Sequence, residues 1–119
     1  MAKNYIPLRD EIEKISLISC GAIPGALIRW QLNNDFLMNI IGCGIIGFLV
    51  GCRLDFRFKL MLGVGFCGAL TTFSAWINDC LDLIGDGYFF NAISLIFSSL
   101  LFGLLAAFIG LRLGLKIRS

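Results

Sequence analysis

Residues 60–76, LMLGVGFCGALTTFSAW, hold the side chains of this chain best suited to handling an ion. Three glycines (Gly63, Gly65 and Gly68) and then Thr71, Thr72 and Ser74 interrupt an otherwise apolar run long enough to cross a bilayer. Glycine weakens a helix and lets other backbone come close. Backbone freed by a break is not tolerated against lipid, so it must be buried in protein or line a wet cavity. Carbonyls exposed at such a break can hold a cation, and the N-terminus of the next half-helix favours an anion. Helix packing accounts for Gly63 and Gly65, because small residues are enriched where membrane helices meet. The stretch from Gly68 to Ser74 reads as an ion site, since packing alone does not call for three hydroxyls around a central phenylalanine.

Other chemistries find little support. The chain has no histidine, which removes imidazole catalysis and histidine metal ligation. Cys20, Cys43, Cys52, Cys67 and Cys80 lack CxxC spacing and mostly fall in apolar runs, as small packing residues do. No nucleophile–base pair stands out, so the chain does not read as an enzyme. Its basic residues are dispersed at the ends of apolar segments, which gives no footprint for nucleic acid.

The elements that must position the ion site follow from hydropathy. Apolar residues make up 58% of 119 and charged residues 15%, too few charges to keep so short a chain in water. A single domain over residues 1–119 is expected, all-α and integral to a membrane. Its four helices are placed near 15–30, 36–52, 60–78 and 89–111, the third broken. The first is the weakest, being short and interrupted by Pro24 and Gly25. The first 14 residues carry six charges and no apolar stretch, unlike a cleavable signal peptide. Lys3, Arg9, Lys14, Arg53, Arg57, Lys59, Arg112, Lys116 and Arg118 share one face of a four-span arrangement. Arg29 stands opposite, with Asp35, Asp79, Asp82 and Asp86. The excess of Lys and Arg predicts a multi-pass protein of the cell (inner or plasma) membrane with both termini cytoplasmic.

GFCGALTTFSAW resembles the signature of the CrcB/Fluc fluoride channels, and the resemblance covers nearly the whole chain. GAIPGALIRW, NIIGCGIIG and SLLFGLLAAFIGLRLG supply the matching pieces of helices 1, 2 and 4 in order. The resemblance implies an antiparallel dimer with two fluoride pores and a central sodium ion that is structural and not transported. The backbone carbonyls of Gly68 and Thr71 would hold that sodium. The pore would be lined by Phe73, whose ring edge carries positive quadrupole charge toward an anion. Trp76 stands three residues on, where the family has a second phenylalanine, and reads either as a pore residue or as an interfacial belt residue. Asn39 matches the pore asparagine, whose amide could replace water around fluoride; its other reading is an interhelical hydrogen bond. Thr72 and Ser74 could add hydroxyl donors, although Ser74 could instead bond its own helix. The polar track of helix 4 falls on Ser99, with Leu95 in place of the family's tyrosine, or on the ladder Ser94 and Ser98. Arg29 matches the family's arginine, as a cation at the pore mouth or as a snorkelling anchor.

Together these features describe a passive fluoride exporter: fluoride enters as neutral HF, dissociates and is trapped until a channel releases it. The one-sided charge suggests a fixed orientation and hence a homologous partner subunit, a paralogue inserted the other way; a homodimer is the competing arrangement. A non-conducting partner subunit of such a heterodimer is another reading. A small four-helix proton-coupled transporter is a third, opposed by the absence of Asp and Glu within helices 1, 2 and 4.

Overall fold

The computed structural model describes residues 7–118. Lys3, counted above with the basic face, lies outside them. Among the described residues the fold is all-α, with no strand. α1 spans Leu8–Leu32 and α2 spans Asp35–Gly51. The third apolar stretch is two half-helices. α3 covers 56–70, of which Lys59–Cys67 is π-helical, and α4 covers Phe73–Gly85. α5 runs over Phe89–Arg118.

Among the described residues three stretches are long and apolar enough to cross a membrane: Leu8–Leu32, Phe56–Gly85 and Phe89–Arg118. α2 is apolar but has 17 residues, or about 26 Å at 1.5 Å per residue, the lower limit for a span. α1 is helical through Pro24 without a break and begins at Leu8, before its apolar part. Its first turns carry Asp10 and Glu11, which suit a helix N-terminus. The chain turns from α1 to α2 through Asn33, in the left-handed conformation at φ 46°, and Asn34, whose side chain caps α2 by accepting from the Leu37 N–H.

Glycine decides which helices touch. α2 lies along α5, and a methyl on Gly110 would run into the backbone of Gly44 and Phe48. α1 lies along α3, where Gly21 admits the carbonyl of Met61 and Gly65 that of Ile18. Backbones this close gain dispersion contacts that lipid cannot match, which is how small residues associate helices in a membrane. The large apolar side chains point outward instead. Leu104 is 72% exposed and Phe97 67%, an arrangement suited to lipid and not to water. All five cysteines are unpaired thiols, and Cys67 and Cys80 are buried among the helices.

The basic segments meet at one end. Arg57 Nη2 lies 2.8 Å from Glu13 Oε1, joining the start of α3 to the first turns of α1. Cys52 Sγ lies 3.9 Å from the Gly114 carbonyl, joining the end of α2 to the last turns of α5. Arg53, Arg57, Lys59, Arg112 and Lys116 therefore gather there, and Arg29 stands at the other end of α1.

Candidate functional site

The third stretch breaks at Thr71 and Thr72, which are extended at φ −88°, ψ 151° and φ −144°, ψ 125°. β-Branched residues lose side-chain freedom in a helix and are at ease in extended backbone, and threonine makes a good N-cap. Both tendencies are used here. Thr71 closes α3: its N–H and its Oγ1 both donate to the Cys67 carbonyl, at 3.0 and 2.9 Å. Thr72 opens α4, its Oγ1 accepting from the Ala75 N–H at 3.3 Å.

Asn39 holds the break from α2. Its Nδ2 donates to the Thr72 carbonyl at 3.0 Å and its Oδ1 accepts from the Thr72 N–H at 2.7 Å. The amide thus pairs with both backbone groups of one residue, 33 positions away. Thr72 is 9% exposed, so water has little access to replace Asn39.

These bonds have a consequence for two carbonyls. In a continuous α-helix the Thr72 N–H would donate to Gly68 and the Ala75 N–H to Thr71. Here Asn39 Oδ1 takes the first donor and Thr72 Oγ1 the second. The carbonyls of Gly68 and Thr71 are thereby deprived of their usual helical partners. Gly68 also faces open space, with no atom within 4 Å of where a Cβ would stand. Among the described residues no three His, Cys, Asp or Glu side chains converge on a metal-sized site.

At the break an open groove of about 370 Å³ is lined by Asn39, Cys43, Thr71, Thr72, Phe73, Trp76 and Ser99, among others. Phe73 is 74% exposed, and its ring lies 5.7 Å from that of Trp76, tilted by 41°. Trp76 Nε1 donates to Ser99 Oγ at 2.9 Å, and Ser99 Oγ in turn donates to the Leu95 carbonyl at 2.5 Å. Asn39 Nδ2 carries a second N–H, and the Thr72 hydroxyl proton is not needed for its capping bond, which leaves both as donors. The first turn of α4 adds N–H groups that its own helix cannot satisfy, the positive end of its dipole.

Of the candidate residues, Asn39, Thr71, Thr72, Phe73, Trp76 and Ser99 come together around this groove. Gly68 lies on the outer surface of α3, and Ser74 is exposed on α4. Ser98 Oγ donates to the carbonyl of Ser94 and, at 3.4 Å, to that of Leu95. Neither Ser94 nor Ser98 lines the groove. Arg29 belongs to the last turn of α1. Cys43 was not singled out for the site; its spacing of four from Asn39 on α2 was the available signal.

A broken apolar helix, clamped by a side chain from its neighbour and opening on an aromatic groove, belongs to a small multi-pass membrane protein. Residues 16–111 match the family model described as CrcB-like protein, Camphor Resistance (CrcB). The chain is similar to fluoride-specific ion channel FluC 2 of Prochlorococcus marinus (strain MIT 9313), with 43% identity over 99% of this chain and 95% of that one. It is similar to fluoride-specific ion channel FluC 1 of a second Prochlorococcus marinus strain (SARG), with 45% identity over 91% of this chain and 87% of that one. Fluoride-specific ion channel FluC of Dehalococcoides mccartyi (strain ATCC BAA-2266 / KCTC 15142 / 195) is 38% identical over 85% of this chain and 92% of its own. The chain belongs to the CrcB-like family, which is a family of channels and not of enzymes.

Proposed function

We propose that this chain is a subunit of a fluoride-specific channel that lowers cytoplasmic fluoride by passive export. The observation that carries the reading is the Asn39–Thr72 pairing beside the Phe73–Trp76 pair, in a chain whose relatives are named fluoride-specific channels. Fluoride is small and strongly hydrated, so a path for it must replace water with donors while binding weakly enough to let go. The second N–H of Asn39, the Thr72 hydroxyl and the edges of Phe73 and Trp76 are groups of that kind. Ser74, Ser94 and Ser98 would join the path only outside this groove, and Arg29 would draw anions to its mouth.

The carbonyls of Gly68 and Thr71 are the residues to hold a structural sodium ion, since both have lost their helical donors. Bound there, sodium would supply a fixed positive charge and tie down the break. The outward position of Gly68 fits an assembly in which a second, antiparallel subunit completes the site. One-sided basic charge favours a fixed orientation with both termini cytoplasmic, and so a homologous partner inserted the opposite way. That relatives carry the numbers FluC 1 and FluC 2 fits such pairing.

The test is fluoride efflux from liposomes followed with a fluoride electrode, using this chain alone and together with its closest paralogue. Efflux that needs both chains is the expected result. Robust efflux from this chain alone would replace the heterodimer by a homodimer. No efflux in either preparation would remove the channel reading.

A further inference from the structure

Trp76 brings an N–H into a groove that, on the reading above, passes an anion. A free indole N–H there would be the strongest new donor on the path, because it is directional and sits where dielectric screening is weak. In the structure that N–H is already engaged. Nε1 points to Ser99 Oγ on α5, 23 residues along the chain and 2.9 Å distant. Ser99 has one hydroxyl proton, and the Leu95 carbonyl receives it at 2.5 Å. With its proton placed there, Ser99 Oγ presents only lone pairs toward the indole.

We infer that Ser99 is a positioning residue for Trp76: it engages the indole N–H, so that Trp76 offers the ion ring edge alone. This rests on the fluoride reading and assigns Ser99 to the tryptophan, not to the anion. Two side-chain oxygens on the same groove already accept backbone N–H groups, Asn39 Oδ1 from Thr72 and Thr72 Oγ1 from Ala75. Without Ser99 the indole N–H turns to the anion, which then binds more tightly and leaves more slowly.

The experiment is a double-mutant cycle on the reconstituted channel, paired with indole emission. Ser99→Ala is expected to lower fluoride flux about tenfold, the scale of one added hydrogen bond to a charged group, and to lower the fluoride concentration at half-saturation. In a Trp76→Phe background, which has no N–H to release, Ser99→Ala should change flux less than about twofold. Ser99→Thr keeps the hydroxyl and its back-bond and should restore parental flux. With Trp30→Phe leaving Trp76 as the sole indole, Ser99→Ala should shift its emission and Ser99→Thr should not. Equal losses of flux in both backgrounds, or an unshifted emission, would overturn the assignment. If the parent passes no fluoride, the functional reading fails, and the emission arm still decides the Trp76–Ser99 pairing.

Discussion

Replacing Asn39 attacks the break at the side chain that holds it open. Asn39→Ala removes two hydrogen bonds, of 3.0 and 2.7 Å, from the backbone of Thr72. An unsatisfied buried polar group costs about 1–3 kcal/mol, so two give about 2–6 kcal/mol if nothing rearranges. Thr72 is 9% exposed, which limits rescue by water. One rearrangement is open: the Thr72 N–H can return to the Gly68 carbonyl and restore an ordinary turn, which brings the cost toward about 2 kcal/mol. That relaxation uses the carbonyl proposed to hold sodium. Asn39→Asp keeps an acceptor for the Thr72 N–H but sets a carboxylate oxygen against the Thr72 carbonyl, so it should be the more damaging change. The assay is thermal unfolding in detergent with sodium and with a large organic cation, alongside fluoride efflux. The parent should be stabilised by sodium, as any ligand of the native state stabilises it. Both variants should unfold at lower temperature, lose the sodium effect and lose flux. An Asn39→Ala protein of parental stability that keeps its sodium response would refute this account of the break.

Three further outcomes follow from the packing and the charges. Gly68→Ala meets nothing within this chain and replaces glycine in a helical turn, so the isolated subunit should be unchanged or steadier by about 0.5–1 kcal/mol; cross-linking should report loss of assembly, and efflux should fall. Gly110→Ala places a methyl against the backbone of Gly44 and Phe48 and should cost about 1–3 kcal/mol in thermal unfolding, the usual penalty of overpacking. A fluorescent protein fused after Ser119 should fluoresce and alkaline phosphatase fused there should be inactive, with the reverse pattern contradicting the orientation read from the charges.

The helices were legible in the sequence because lipid imposes a length and a composition on them. The extent of α1 was less so: its first turns at Leu8–Lys14 are polar and still helical, and Pro24 sits inside it without ending it. The π-helical run Lys59–Cys67 has no signature that hydropathy can detect. At the site, TTFS marked the break, and threonine chemistry explains its caps. The role of Asn39 was open between a pore donor and an interhelical bond. The structure places one amide N–H and the Oδ1 in an interhelical bond, and its partner is backbone, which every residue has and no pattern marks. Trp76 was open between pore and belt; its bond to Ser99 places it on the groove. Spacing on one helix could not give that pairing, because it depends on how α5 is turned against α4.

Whether the break clamped by Asn39 serves a fluoride path, as proposed, is tested most directly by fluoride-electrode efflux from liposomes. Parental protein, with its paralogue if one is needed, should empty the liposomes of fluoride, while Asn39→Ala in the same preparation should leave fluoride trapped. Efflux that is absent from the parent, or unchanged by Asn39→Ala, would contradict it.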